Sequence, residues 1–230
     1  MSTAPSTAPA AGVQRLLDAY PQLQPMSDKD LPAVAEAFSV LVPDYFLSQM
    51  GTAVLARTYW RVFCRDPRSF GFVWMDGEKV VGFVSGTTDR DGLLGRVLAQ
   101  SPLDFGLGLV RAAVRSPKFV KQGVGLMLAL RKEKVHSGPD AELMSLGVLP
   151  RALNPVIGPD GATRSPATIL LSAASELLRS RHVKAFRLYT GASNRLACAF
   201  YRRLGLTESH RFQLFGEEKV CFVGDTALTF

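Results

Sequence analysis

The chain alternates between two spacings of apolar residues, and each spacing predicts one kind of secondary structure. Apolar positions three or four residues apart predict helices, whereas runs of about four to eight β-branched and aromatic residues predict strands. The helical spacing is clearest after Ser27, which with Asp30 resembles a capping box. The elements predicted for the N-terminal part are a helix over 13–19, a strand over 20–26, and helices over 27–41 and 47–63.

A hairpin and a helical insertion occupy the middle of the chain. Two β-rich runs over 70–75 and 79–85 flank the dipeptide Asp76-Gly77, which is typical of a tight hairpin turn. Residues 91–138 then have a helical composition, although their glycines disfavour long unbroken helices. We interpret 91–138 as a helical insertion between two strands.

The second half of the chain predicts a strand–helix–strand unit followed by a helix and a hairpin. The run AELMSLGV, which ends at Val148, is apolar on both faces and predicts a buried strand. A loop follows, and Ser165-Pro166 then fits the start of a helix that continues to about Arg179. The run VKAFRLYT predicts a second buried strand, SNRLACAFYRRLGL a helix, and the C-terminal segment two closing strands.

These elements predict an α/β fold with one mixed, mostly antiparallel sheet and helices on both of its faces. The unit from Glu142 to Tyr189 should be a right-handed parallel crossover, because that is the usual hand of such connections. We expect a disordered tail over residues 1–12 and one domain over 13–230, which carries the insertion at about 91–138.

Composition limits the functional classes. The formal net charge is +7, and a basic cluster between positions 111 and 134 fits either an anionic partner or a solvated helix face. The chain lacks the aromatic–basic interleaving typical of nucleic-acid binding, and no apolar run approaches the about 18–20 residues that cross a membrane. Three scattered cysteines fit a reducing compartment such as the cytoplasm, and three histidines show no metal-ligand spacing.

One segment resembles a known family. In ASNRLACAFYRRLGL an asparagine precedes an alanine by three residues, and Phe-Tyr and Leu-Gly-Leu follow. This order resembles the late strand–helix block of the GNAT N-acetyltransferase superfamily. The matching residues are Asn194, Ala197, Phe200, Tyr201, Leu204, Gly205 and Leu206. The order of the other predicted elements also matches, so the resemblance extends over about 20–230 without the insertion.

The resemblance implies that an acyl group moves from acetyl-CoA, or another acyl-CoA, to an amine. The pantetheine arm of the donor would lie beside the AELMSLGV strand near Leu146, Gly147 and Val148, where a backbone N–H can also stabilise the oxyanion. The donor diphosphate would lie at the N-terminus of the next helix, because N–H groups and the helix dipole favour negative charge there. The loop residues assigned to it are Thr163, Arg164, Ser165, Ala167 and Thr168.

The resemblance also implies roles for three side chains. Tyr201 matches the tyrosine that protonates the departing thiolate in many members, with a packing role as the alternative. Asn194 matches an asparagine that contacts the donor, with a plain helix cap as the alternative. Glu142 occupies the place of the catalytic glutamate of histone-type members, and a partly buried carboxylate could take a proton from the ammonium. The alternative is a glutamate at the start of the strand that faces solvent. Many members deprotonate their amine through water and backbone carbonyls, so no base need exist.

The loop before the Ser165-Pro166 helix departs from the family's Gln/Arg-x-x-Gly-x-Gly/Ala pattern. Ser165 replaces the first glycine, Pro166 lacks an N–H, only Ala167 fits, and the loop is about nine residues longer. Two donors therefore remain open. One is a CoA thioester bound with altered geometry, and the other is an acyl group on the phosphopantetheine of an acidic acyl carrier protein, which the basic insertion would suit.

The sequence thus predicts an N-acyltransferase, most simply an N-acetyltransferase, that acts on a small-molecule amine by direct transfer. The alternatives are a carrier-protein donor and a catalytically silent binding module with the same fold. Tyr45, Tyr59, Phe212 and Phe215 are candidates either for an acceptor pocket or for the core. Dimers are common in the family, so a homodimer is a further expectation.

Overall fold

A seven-stranded sheet organises the chain, and helices pack on both of its faces. The computed structural model describes residues 11–43, 45, 47–100, 102–115, 138–214 and 216–228. The predicted tail up to position 10, the last part of the predicted insertion and Phe215 therefore lie outside the described residues.

The elements follow the predicted order. The strands are β1 (Leu23–Pro25), β2 (Ser69–Asp76), β3 (Lys79–Thr87), β4 (Glu142–Val148), β5 (Val156–Ile157), β6 (Thr163–Arg164), β7 (Ala185–Gly191), β8 (Thr207–Leu214) and β9 (Glu217–Asp225). The helices are α1 (Ala11–Ala19), α2 (Leu31–Leu41), α3 (Thr52–Arg57), α4 (Tyr59–Arg65), α5 (Arg90–Gln100), α6 (Pro102–Arg115), α7 (Pro166–Ser180) and α8 (Arg195–Arg203).

The sheet has the strand order β1-β2-β3-β4-β7-β9-β8, and β5 and β6 form a separate small hairpin. Among the described strands, β4 and β7 pair in parallel and the other neighbours pair antiparallel. Helix α7 makes the connection from β4 to β7. The predicted mixed, mostly antiparallel sheet with one parallel crossover is therefore confirmed.

Two hydrophobic cores lie on the two faces of the sheet. One core contains side chains of α1, α7 and α8, and the other contains side chains of α2, α3, α4 and α5. Neighbouring residues of one strand enter different cores, as Phe72 and Val73 of β2 do, because successive side chains of a strand point to opposite faces. The sheet is thus buried on both sides, which explains why its central strands read as apolar throughout.

Two predicted elements differ in the structure. The single helix over 47–63 is wrong, because Gly51 has a φ of 91° and Thr58 has a φ of −113° and a ψ of −80°, which interrupt the helix before and after α3. The first strand is limited to Leu23–Pro25, since Leu23 N donates to Tyr20 O and forms a turn. The predicted hairpin between β2 and β3 is present, and Gly77 supplies its positive φ of 59°.

A β-bulge distorts the ladder between β3 and β4. Ser85 lies opposite Ser145, whereas the next residue, Gly86, lies opposite Leu143, so Met144 is an extra residue on β4. Gly86 is closely surrounded, because a Cβ there would lie 2.5 Å from Phe70 Cζ and 3.0 Å from the backbone oxygen of Glu142. A side chain at this position would therefore displace β4 at its bulge.

We expect Gly86→Ala to lower the free energy of unfolding by about 1–3 kcal/mol, because the added methyl overpacks this contact. Gly95→Ala is the matched control, since a Cβ on Gly95 of α5 meets no atom within 4 Å. There alanine should be neutral or stabilising, as expected in a helix. Chemical unfolding of both variants measures the difference, and equal effects would contradict the close packing at the bulge.

Candidate functional site

Strands β4 and β7 separate after two residue pairs, which leaves an opening in the middle of the sheet. Their ladder consists of Glu142 with Arg187 and Leu143 with Leu188. Beyond these pairs, β4 continues beside β3 and β7 continues beside β9. No other described strand pairs with the inner edges, so an extended ligand can form strand-like hydrogen bonds with them.

The hydrogen-bond alternation along β4 decides which of its backbone groups face the opening. Leu149 N donates to Val81 O at 2.7 Å, so in this antiparallel ladder the Gly147 amide also points toward β3. The N–H and C=O groups of Leu146 and Val148 consequently point into the opening. Leu146 and Val148 are therefore the better candidates for contact with the donor arm, and the Gly147 amide is already occupied by β3.

Glu142, the candidate general base, lies at the closed end of the opening between two arginines. Its Oε2 atom is 2.8 Å from Arg90 Nε and 3.4 Å from Arg187 Nε. All three side chains are at most 10% exposed. Protonation of this carboxylate would remove the negative charge that two buried guanidinium groups share, which is strongly unfavourable. The ion pairs therefore favour the charged carboxylate and disfavour Glu142 as a proton acceptor.

Arg90 connects the two strands where they separate. Its guanidinium carbon lies 5.7 Å from the ring centroid of Tyr189 on β7, while its Nε atom contacts Glu142 on β4. Tyr189 in turn packs against Phe212 of β8 with 5.1 Å between ring centroids. Sequence reasoning missed Arg90, Arg187 and Tyr189. The arginine inside the otherwise apolar run AFRLY was a usable signal, because a buried charge needs a partner.

Two tyrosines on the α2–α4 side of the sheet lie near Glu142. Tyr59 hydrogen-bonds with Ser145 of β4, and the charge of Glu142 acts on both Tyr45 and Tyr59. Burial, reinforced by Glu142, raises the pKa of Tyr45 to about 12, and burial also raises the pKa of Tyr59. Both phenols therefore remain protonated near neutral pH. They place neutral hydroxyl groups near Glu142 on the α2–α4 side of the sheet.

The N-terminus of α7 uses part of its own hydrogen-bonding capacity. Ser165 is the N-cap, and its Oγ atom accepts a hydrogen bond from Thr168 N at 3.2 Å and lies 2.9 Å from Thr168 Oγ1. Pro166 lacks an N–H, and Ile169 N donates to Ser165 O at 3.1 Å. In this described first turn, the N–H groups of Ser165 and Ala167 are left to serve a ligand.

Arg164, the charged candidate for phosphate binding, is held by a carboxylate of its own loop. Its Nη1 and Nη2 atoms donate to the two oxygens of Asp160 at 2.9 and 2.8 Å, and Nη1 lies 3.5 Å from the hydroxyl of Tyr20. The hydrogen bonds from Arg164 lower the pKa of Asp160 to about 2. Thr163 lies beside Arg164 in β6, opposite Ile157. The added length of the loop thus forms a hairpin that pairs its own charges.

Asn194 and Tyr201 lie at the two ends of α8. The side-chain oxygen of Asn194 accepts a hydrogen bond from Ala197 N at 3.1 Å and caps the helix. Tyr201 is 7% exposed, and its ring centroid is 5.4 Å from that of Phe222 on β9. Burial raises the pKa of Tyr201 above its ordinary value, so the phenol keeps its proton. This is the protonation state that a general acid needs, and the burial fits the packing alternative as well.

The candidate residues divide between the two faces of the sheet. Tyr201 belongs to the core that contains α7 and α8, whereas Tyr59 belongs to the core that contains α2 and α4. The opening between β4 and β7 interrupts the sheet between these faces. The opening therefore lies between the two groups of candidate residues.

The described ranges contain neither a metal-binding cluster nor a membrane-spanning helix. No group of three or more His, Cys, Asp or Glu side chains in that part of the chain could hold a metal ion. None of the described helices has the length and hydropathy needed to cross a membrane.

Solved structures of acetyltransferases have this fold. An N-acetyltransferase from Staphylococcus aureus Mu50 aligns with a TM-score of 0.57 at 15% identity, covering 88% of this chain and 99% of that chain. A protein named SsHAT aligns with a TM-score of 0.55 at 23% identity, covering 89% and 98%. A protein from Desulfovibrio desulfuricans assigned to the GNAT family of acetyltransferases aligns with a TM-score of 0.51 at 11% identity, covering 89% and 98%. No protein-family model and no curated protein matches the chain.

We expect Glu142→Gln to lower the free energy of unfolding by about 3 kcal/mol, because it removes one partner from a buried ion pair. Chemical unfolding at neutral pH measures this loss. Glu208→Gln is the control, since Glu208 pairs with Arg202 and Arg211 at the surface, where ion pairs contribute little. A change as small for Glu142→Gln as for the control would show that the buried ion pair does not stabilise the fold.

Proposed function

We propose that this chain, which has the fold of the GNAT N-acetyltransferases, is an N-acyltransferase. It moves an acyl group, most simply acetyl, from a thioester of the acyl-CoA type to the amine of a small molecule. The opening between β4 and β7 carries the proposal, because the backbone groups of Leu146 and Val148 face it and no described strand occupies them. The acetyltransferases that share the fold support the same activity.

The reaction places three requirements on the site. A carbon–nitrogen bond forms while the carbon–sulfur bond breaks. The negative charge that develops on the carbonyl oxygen must be stabilised, the sulfur must gain a proton, and the amine must lose one. We assign the first requirement, stabilisation of the charge on the carbonyl oxygen, to a backbone N–H of Leu146 or Val148. We assign protonation of the sulfur to the hydroxyl of Tyr201, which holds its proton throughout the neutral range.

The remaining requirement, removal of the amine proton, is better assigned to water than to Glu142. The Glu142 carboxylate is held between Arg90 and Arg187, and both ion pairs favour its charged form. The hydroxyl groups of Tyr59 and Ser145 lie on the same side and can hydrogen-bond to water at the opening. We therefore propose Glu142 as a positioning residue that joins β4 to Arg90.

The test of the activity is an acyl-transfer assay with acetyl-CoA and a panel of amino sugars and amino acids. Release of the thiol and formation of an N-acetyl product should appear together and require the protein. If no donor yields an acylated amine across the panel, the enzyme proposal is wrong and the silent binding module is favoured.

Tyr201→Phe should lower kcat by about 10²–10⁴-fold and leave the KM for the donor nearly unchanged, because the hydroxyl acts only as the bond to sulfur breaks. The aromatic ring remains, so the packing on Phe222 should persist. Steady-state kinetics and thermal unfolding of the same preparation separate the two roles. An unchanged kcat would assign Tyr201 to packing alone.

Glu142→Gln should change kcat by less than about tenfold when it is assayed well below its own unfolding temperature, because the carboxylate is not the proton acceptor. The decrease of kcat/KM at low pH should also remain in the variant, since this decrease reflects protonation of the substrate amine. A loss of about 10²-fold or more together with loss of that decrease at low pH would restore Glu142 as the general base.

A further inference from the structure

We infer that the donor is recognised through its pantetheine arm and that its nucleotide diphosphate contributes little to binding. The donor class is then any acyl-phosphopantetheine thioester rather than acyl-CoA alone. The inference rests on the proposed acyl transfer and concerns the same opening in the sheet.

The position expected for a diphosphate follows from the topology. An arm that lies along the open edge of β4 runs past Leu146 toward Val148, where the strand ends. Helix α7, which begins at Pro166, starts the crossover from this end of β4 to β7. A helix N-terminus is the natural place for a phosphate, because its N–H groups and dipole favour negative charge.

The Thr168 N–H and the Arg164 side chain at this N-terminus already have partners, and the N–H groups of Ser165 and Ala167 are left. The Thr168 N–H donates to Ser165 Oγ, and Pro166 has no N–H to offer. The guanidinium of Arg164 forms a bidentate ion pair with Asp160. Beyond the N–H groups of Ser165 and Ala167, a diphosphate would therefore have to displace the Ser165 hydroxyl from Thr168 and compete with Asp160 for Arg164.

On β4, by contrast, backbone groups are available to the pantetheine arm. The N–H and C=O groups of Leu146 and Val148 face the opening, and no described strand pairs with them. A pantetheine chain carries two amides, each with one donor and one acceptor, so it can complete the edge as a strand does. Donor recognition is therefore concentrated along β4 and is weak at α7.

The same arm occurs free in CoA and attached to acyl carrier proteins. Carrier proteins are usually acidic, and the formal net charge of +7 on this chain is complementary to them. The chemistry that both donors share is the phosphopantetheine thioester, and a kinetic comparison of the donors distinguishes CoA from a carrier protein.

The direct test is a calorimetric binding series with CoA, 4′-phosphopantetheine, pantetheine and adenosine 3′,5′-bisphosphate, none of which needs an acceptor. CoA and phosphopantetheine should bind within about tenfold of each other, and the bisphosphate should not compete with CoA. CoA binding that is more than about tenfold tighter than phosphopantetheine binding would overturn the inference.

Ser165→Gly supplies a second measurement, because it releases the Thr168 N–H while glycine remains an acceptable N-cap residue. CoA affinity should rise by about threefold or more while pantetheine affinity is unchanged. Ser172→Ala is the matched control, about two turns further along α7, and should alter neither affinity. If Ser165→Gly weakens CoA binding selectively, the Ser165 hydroxyl binds the diphosphate and the inference is wrong.

Kinetics with acetyl-CoA, acetyl-phosphopantetheine and an acetylated carrier protein separate this inference from the proposed function. If acetyl-CoA reacts and acetyl-phosphopantetheine is more than about tenfold slower in kcat/KM, the inference fails and the acyltransferase proposal stands. If no donor reacts with any amine, the acyltransferase proposal fails, whatever the binding series shows. A carrier that reacts faster than acetyl-phosphopantetheine identifies the carrier as the source, and a slower one identifies the soluble thioester.

Discussion

The ion pairs of Glu142 with Arg90 and Arg187 are the constraint on which the site depends. A parallel pair of strands in a buried sheet normally continues until the strands end, because unpaired backbone groups are costly there. Here the ladder stops after Leu143 and Leu188, and the buried charges lie where it stops. Arg90 extends the connection by lying over Tyr189 of β7. Strands β4 and β7 are thus held together by these side-chain contacts at one end of the opening, and they are separate at the other end.

The bulge at Met144 gives this opening two different walls. Leu143 and Leu146 pack into the core beneath α7, whereas Met144 packs toward the core beneath α4, and Ser145 hydrogen-bonds with Tyr59 of that layer. A regular strand would place positions 143 and 145 on one face, so the extra residue reverses the alternation. As a result the edge of β4 presents apolar side chains toward α7 and hydroxyl groups toward α4.

The fold could be predicted from the sequence because its signals are local and mutually consistent. The block from Asn194 to Leu206 and the apolar runs of β4 and β7 suffice to order the elements. The break at Thr58 was not predictable, since its hydroxyl bonds back to Val54 O inside an otherwise helical pattern. The bulge was equally hidden, because AELMSLGV is apolar on both faces and has no alternation that a shift would disturb.

The site was less predictable because its partners are distant in sequence. Nothing near Arg90 indicates that it meets residues 142 and 189, which only the sheet brings together. In the loop before α7 the partners are instead close in sequence, because Asp160 and Arg164 are four residues apart and form an ion pair. This loop pairs its own charges and caps its own helix, so these groups have partners without a ligand. On the inference above, the selectivity of this opening comes from β4, because the backbone groups of Leu146 and Val148 face a gap that no described strand fills.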